Sequence, residues 1–136
     1  EKVEEAKVAA KAPSSQDRAI INKQIDIHFT PGSDQIMPGS FFFLDALGDT
    51  MTSCGATDLR VEGNTDSSGA ASANMTLSDR RALEVKNYIL KNFPNIQAPR
   101  FQTIGRGSSN PVASNTTETG RQLNRRTEIK VVLASE

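Results

Sequence analysis

Apolar and polar residues alternate at residues 25–29, and near the end of the chain Thr127, Ile129, Val131 and Leu133 alternate with the charged residues Arg126, Glu128 and Lys130. A period of two is typical of a β-strand that has one face in a protein core. Two further runs, residues 58–63 and residues 100–107, also read as strands, and each ends at a glycine. The pattern therefore predicts four strands.

Apolar residues recur every three or four positions in two stretches between these strands, which is typical of amphipathic helices. The first begins at Pro38, which suits the first position of a helix because its missing N–H would be unpaired there. Its apolar face consists of Phe41, Leu44, Leu47, Gly48 and Met51. The second is predicted to start with Ser78 as its N-cap and to end before Pro94. A further helical turn is expected at residues 120–124.

The resulting order is strand, helix, strand, helix, strand, strand. Two amphipathic helices can cover one face of a four-stranded sheet. The predicted fold class is therefore α+β: a two-layer α/β sandwich, with a mixed four-stranded sheet and two main helices on one face. The 136 residues have room for one such domain, which we place at residues 17–136. Residues 1–16 have only Val and Ala as apolar side chains, and they are predicted to be a linker or the end of an upstream segment.

Composition excludes several partners. Sixteen basic and sixteen acidic residues cancel, so no global field attracts the chain to nucleic acid or to an anionic membrane. No apolar run approaches the roughly 20 residues of a membrane span. A membrane is therefore expected to be reached only through an upstream segment. The single Cys54 cannot form an internal disulfide, and it is expected to be buried and structural rather than reactive.

The motifs favour a binding domain over an enzyme. His28 is the only histidine; it falls on the polar side of the first strand, with no cluster of metal ligands beside it. Ser67 and Ser68 do not lie in the G-x-S-x-G pattern of a serine hydrolase. The loop around Asp66 lacks the acidic partners of a calcium loop. No catalytic residue, metal or cofactor is predicted.

The most informative stretch is residues 61–82. Asp66 lies in a polar loop directly after a strand, and Arg80 and Arg81 lie in the first turn of the helix predicted to begin at Ser78. The free N–H groups of a helix N-terminus make a positive end, and a guanidinium there completes a strong anion site. Together with the carboxylate in the loop, this arrangement can bind a ligand that carries both charges.

The chain from about residue 25 to residue 133 resembles the OmpA-like C-terminal peptidoglycan-binding domain family. The resemblance is carried by EGNTDSSG at residues 62–69, Asn74, LSDRRA at residues 77–82, G-x-G at residues 105–107 and GRQLNRR at residues 120–126. It implies the same two-layer fold. It also implies a periplasmic location, as the wall-facing domain of an outer-membrane, inner-membrane or lipid-anchored protein.

The resemblance further implies a ligand, the meso-diaminopimelate residue of Gram-negative peptidoglycan stem peptides, whose side chain ends in an ammonium and a carboxylate. By position in the family motifs, Asp66 takes the ammonium and Arg81 the carboxylate. Ser68 supplies a hydroxyl, Asn74 an amide, and Arg125 a further guanidinium. Replacing Arg81 by alanine is expected to abolish binding and to leave the thermal midpoint nearly unchanged.

Several alternatives remain open at this stage. Arg125 could instead brace the loop after the third strand, and Asn74 could be a turn former. The whole domain could be a structural or protein-interaction module that has lost its ligand. It could also be a small-anion receptor, although Asp66 disfavours this because a carboxylate weakens an anion site.

Two positions depart from the family. Asn64 stands where family members usually have histidine, so a titration near pH 6.5 is not expected. The turn after the first strand contains Pro31 and Gly32, where related domains often offer a polar side chain. Only backbone groups of this turn are therefore expected to reach a ligand.

Overall fold

The computed structural model describes residues 25–53 and 57–133. The predictions for residues 1–16, for the boundary at residue 17 and for Cys54 lie outside these ranges. The elements in chain order are β1 (Ile25–His28), a 3-10 turn (Pro38–Ser40), α1 (Phe41–Ser53), β2 (Thr57–Gly63), α2 (Ala71–Asn92), a second 3-10 turn (Ala98–Arg100), β3 (Phe101–Gly105), α3 (Glu118–Asn124) and β4 (Arg126–Leu133).

The four strands form one mixed sheet in the order β1-β4-β2-β3. Strands β2 and β3 are parallel because α2 crosses over between them, whereas β4 runs antiparallel to both β1 and β2. The predicted sandwich with a mixed four-stranded sheet is confirmed. Among the described residues, no helix has the length and apolar character that a membrane crossing requires.

The hydrophobic core lies between the sheet and the two long helices, as the apolar periodicities predicted. From α1 it receives Leu44, Leu47 and Met51, and from α2 it receives Val85 and Ile89, all of which are buried. The remaining buried apolar side chains are Ile27, Phe29, Ile36, Leu59, Val61, Ala82, Ile96, Phe101 and Ile129.

The predicted start of the second helix is wrong. Helix α2 begins at Ala71, seven residues before Ser78, and its N-cap Ala70 makes no side-chain capping bond. Ser78 lies inside the helix, where its Oγ donates to Met75 O at 2.8 Å and accepts from Gly107 N at 2.9 Å. Its hydroxyl therefore ties α2 to the end of β3. Arg81 consequently lies well inside α2, away from the positive end of the helix.

Strands β2 and β3 approach α2 very closely at two paired glycines. Gly63 and Gly105 are partners in the β2–β3 register. A Cβ on Gly63 would lie 1.9 Å from Ser78 O, and a Cβ on Gly105 would lie 1.9 Å from Asp79 Oδ1. Only glycine permits this contact, which brings the loop after β2 against the middle of α2.

Candidate functional site

A pocket of about 190 Å³ lies between the turn after β1, the loop after β2, the first turns of α2, and α3 with the residue that follows it. All five residues predicted to bind ligand line it: Asp66, Ser68, Asn74, Arg81 and Arg125. The other lining residues are Pro31, Gly32, Thr65, Leu77, Glu118 and Arg121. The tertiary structure therefore brings together residues from four separate segments of the chain.

Asp66 is held in one orientation by two donors. Its Oδ1 accepts from the backbone N–H of Ser68 at 2.9 Å, and its Oδ2 accepts from Arg125 Nη1 at 2.8 Å. The side chain is buried. Burial alone would raise the pKa of Asp66, but the bonds from Ser68 and Arg125 outweigh it and lower this pKa below its ordinary value. Asp66 is therefore an ionised carboxylate on the pocket wall.

Arg125 connects the loop after β2 to α3. Besides Asp66, it donates from Nη2 to Glu118 Oε2 at 2.5 Å and to Gln122 Oε1 at 2.8 Å. Burial would lower the pKa of Arg125, but the hydrogen bonds to Asp66 and Glu118 raise it. The guanidinium is only 2% exposed. It is charged and held rigidly between two carboxylates.

The loop after β3 is braced by the two neighbours of Arg125 and not by Arg125 itself, which was the alternative role for this residue. Asn124 Oδ1 accepts from Val112 N at 2.8 Å and from Ala113 N at 3.1 Å. Arg126 Nη2 donates to Asn110 O at 2.9 Å. These two side chains hold the loop in place, which leaves Arg125 to the pocket.

Arg81 is the most buried charge in the pocket. It is 0% exposed, and its Nε, Nη1 and Nη2 donate to three backbone carbonyls, of Ser33 at 2.9 Å, Asn64 at 2.9 Å and Thr30 at 3.2 Å. Its guanidinium also lies 5.1 Å from the centroid of the Phe29 ring. The carbonyls on either side of the Pro31–Gly32 turn thus hold Arg81 rather than a ligand.

This environment leaves the charge of Arg81 poorly compensated. Among the described residues, no Asp or Glu forms an ion pair with it. Burial lowers the pKa of Arg81 to about 10, and Asp66 opposes this effect only through longer-range attraction. The residue remains a cation at neutral pH. A buried cation with neutral partners favours an anion at the adjoining pocket.

Asn74 lies in the first turn of α2 and is buried, so its alternative role as a turn former is wrong. Its Nδ2 is buried, as is Arg125 Nε, and neither donates to any described residue. Buried donors without an acceptor are rare in folded proteins and unfavourable. Both side chains line the pocket, and a ligand with oxygen acceptors would offer them partners.

Two charged residues of the pocket were missed by the sequence analysis. Glu118 and Arg121 lie on α3, where Arg121 Nε pairs with Glu118 Oε1 at 3.2 Å. Hydrogen bonds from Arg125 lower the pKa of Glu118. The available signal was Thr117, whose side chain accepts from Gly120 N and caps a helix that begins at Glu118. The i, i+3 spacing of the acid and the base then follows on one helical face.

Asn64, which stands where the family usually has histidine, lies behind the pocket wall. Asn64 is 1% exposed, and its Nδ2 donates to the backbone oxygen of Glu62 at 3.0 Å. Its own backbone oxygen is the acceptor that Arg81 uses. No histidine lines the pocket. Within residues 25–53 and 57–133, no group of three or more His, Cys, Asp or Glu side chains is arranged to hold a metal ion.

Comparison with known proteins identifies a matching family and several similar proteins. The model of the OmpA family matches residues 28–125. Outer membrane porin F of Pseudomonas fluorescens is 37% identical over 120 residues, which cover 88% of this chain and 35% of that protein. Peptidoglycan-binding protein ArfA of Mycobacterium tuberculosis is 32% identical over 124 residues, which cover 90% of this chain and 37% of that protein. The chain thus spans about a third of the length of these relatives.

A solved structure is also similar to this chain in fold. The cell wall anchor of the T6SS from Pseudomonas aeruginosa superimposes with a TM-score of 0.66 at 28% identity, covering 82% of this chain and 81% of that one. The sandwich described above is therefore an established architecture. Outer membrane porin F and the cell wall anchor are envelope proteins by name, which confirms the predicted periplasmic location of this domain.

Proposed function

Because this chain belongs to the OmpA family, we propose that it binds peptidoglycan without covalent chemistry and anchors a larger envelope protein to the cell wall. Two similar proteins support this role, since one is named for peptidoglycan binding and the other is a cell wall anchor. The domain acts here as a binding module and not as an enzyme. Its pocket carries charges of both signs without a nucleophile–base pair.

The ligand group that suits the pocket is the side-chain end of meso-diaminopimelate in the stem peptide. This assignment rests on one observation, two side chains of opposite charge on one pocket wall. Asp66 is an ionised carboxylate, and Arg81 is a buried cation whose partners are all neutral carbonyls. A group with an ammonium and a carboxylate on one carbon complements both.

Each side chain then has a role. Asp66 accepts from the ligand ammonium, and Arg81 attracts the ligand carboxylate, which the buried Nδ2 of Asn74 also reaches as a donor. Ser68 fixes the Asp66 carboxylate through its backbone N–H and adds its hydroxyl at the pocket rim. Arg125 orients Asp66 from behind.

The size of the pocket agrees with a small group. A water molecule occupies roughly 30 Å³ in the liquid, so a pocket of about 190 Å³ has room for one amino-acid side-chain terminus. Contacts to the rest of the polymer would lie outside the pocket.

The test uses two muropeptides that differ only at the third stem residue, which is meso-diaminopimelate in one and L-lysine in the other. Lysine keeps the ammonium and lacks the carboxylate, so Arg81 would stay without an anion. We expect lysine-type fragments to bind at least tenfold more weakly in calorimetric titration, a difference of about 1.4 kcal/mol or more. Amidation of the diaminopimelate carboxylate is the matched control, because it removes the charge and keeps the shape. Equal affinities would rule out recognition of the carboxylate.

The alternative function is a structural or protein-interaction module of the same fold without ligand. Sedimentation with insoluble Gram-negative peptidoglycan separates the two, because many sites on one polymer raise the apparent affinity of even a weak pocket. A folded domain that stays in the supernatant at all concentrations would favour the alternative.

A further inference from the structure

One guanidinium holds two carboxylates side by side in the pocket. Arg125 Nη1 donates to Asp66 at 2.8 Å, and Arg125 Nη2 donates to Glu118 at 2.5 Å. Because the two nitrogens belong to one rigid, planar fork, their acceptors are fixed next to each other. Both acids line the same pocket.

The two carboxylates differ in their solvent exposure. The side chain of Asp66 is 11% exposed, whereas that of Glu118 is 62% exposed. Both Asp66 oxygens already accept a bond from within the protein. Asp66 alone therefore offers an incoming ammonium only its remaining lone pairs, and an ammonium has three donors to satisfy.

Ion pairing explains little of the position of Glu118. Ion pairs with an exposed partner contribute little to folding, and Asp66 already balances the charge of Arg125. The pocket wall has three arginines, and Glu118 contacts two of them, Arg121 and Arg125. It thus lowers the positive potential around Arg121 and Arg125.

We infer that Glu118 is the second carboxylate for the ligand ammonium, and that it makes the pocket selective for a free amine. This inference rests on the proposed function. The ammonium lies between Asp66 and Glu118, while the ligand carboxylate lies toward Arg81. Arg125 is a positioning residue, since it aligns the two acids without contacting the ammonium.

The experiment is a double-mutant cycle between protein and ligand. Glu118→Gln removes the charge and keeps an oxygen that can accept from Arg125. We expect it to bind the diaminopimelate muropeptide at least fivefold more weakly than the unmodified domain. With a muropeptide acetylated on the side-chain amine, the two proteins should bind equally, because the partner of Glu118 is then absent. Glu84→Gln, an exposed change of the same charge on α2, is the matched control and should bind like the unmodified domain.

Three outcomes would overturn the inference. Unchanged binding by Glu118→Gln would show that Asp66 alone accepts the ammonium. Tighter binding would show that Glu118 competes with the ligand carboxylate for Arg125. An equal loss with both muropeptides would show a structural role, which thermal unfolding of Glu118→Gln and of the second variant Glu118→Ala would reveal independently. If the unmodified domain binds neither muropeptide, the proposed function itself fails, and the result is distinct from all three.

Discussion

Arg125 Nη1 donates to Asp66 Oδ2 at 2.8 Å, although the two residues are 59 positions apart. The sheet brings them together, because β2 and β4 are antiparallel neighbours with Gly63 opposite Thr127. Asp66 follows β2 and Arg125 precedes β4, so both lie at the same end of the sheet. Family position suggests that each contacts the ligand separately. The geometry adds a second role for Arg125, because its guanidinium orients Asp66.

Arg125→Ala should therefore destabilise the domain by about 3–5 kcal/mol, since it leaves the buried carboxylate of Asp66 without its partner. Urea unfolding monitored by circular dichroism measures the change. The double variant with Asp66→Ala should lose less than the sum of the two single losses, because the pair is already broken. Strict additivity would show that the ion pair does not form in solution.

Arg81→Ala should also destabilise the domain, by about 2–4 kcal/mol. The substitution empties a fully buried site and leaves the carbonyls of Thr30, Ser33 and Asn64 without a donor. The expectation of a nearly unchanged thermal midpoint assumed that Arg81 lies in the first turn of its helix. Because Arg81 lies inside α2 and is buried, we replace that expectation with this one. Differential scanning calorimetry gives the midpoint. Any loss of peptidoglycan binding by this variant must be measured at a temperature where it is still folded.

Stability should be constant between about pH 5 and pH 8 and should fall below about pH 4. Hydrogen bonds from Ser68 and Arg125 lower the pKa of Asp66 against the effect of burial. A hydrogen bond from Arg106, helped by Lys130, likewise lowers the pKa of Glu62. A carboxylate whose folded pKa is depressed stabilises the fold above its ordinary pKa, and this contribution is lost as the pH falls through the folded value. Denaturant midpoints across this range test the claim.

Binding to peptidoglycan should weaken below about pH 4, as stability does, and should show no transition near pH 6.5. The pocket has no histidine, and Asn64 stands at the position where the family usually has one. Asp66 must be ionised to accept from the ligand ammonium. Calorimetric titration from pH 5.5 to pH 8 is therefore expected to return one affinity. A sigmoidal change centred near pH 6.5 would require a titrating group that the pocket does not contain.

Gly63→Ala should cost about 2 kcal/mol or more, because a Cβ there would lie 1.9 Å from the backbone oxygen of Ser78. Backbone cannot rotate away as a flexible side chain can, so α2 would have to move off β2. Gly39→Ala is the matched control, since a Cβ at Gly39 meets no atom within 4 Å. Thermal unfolding of the two variants should therefore differ clearly. Similar midpoints would mean that α2 is less closely docked.

Removal of residues 1–16 should change the free energy of unfolding by less than about 1 kcal/mol. This prediction depends on composition alone, because the segment offers no large apolar side chain to a core. Chemical denaturation of the shortened chain provides the measurement. A cooperative loss of several kcal/mol would make the segment an integral part of the domain.

The sequence by itself determined the features that depend on local pattern. Alternation identified β1 and β4, runs that end at a glycine identified β2 and β3, and helical spacing identified the buried faces of α1 and α2. The motifs identified five residues that the fold gathers in one pocket. The local pattern failed at the start of α2, where residues 71–77 have no capping side chain and little apolar surface to indicate a helix.

Only the tertiary structure decided how the charges are arranged. Arg81 is buried because a turn 48 to 51 positions away folds over it and supplies two carbonyl acceptors. Asp66 and Arg125 are paired because the register of β2 and β4 brings their loops together. Glu118 enters the pocket because Arg125 holds it there. Hydrogen bonds and ion pairs depend on distances of a few ångströms, and such distances between remote residues follow from strand order and helix docking rather than from spacing along the chain.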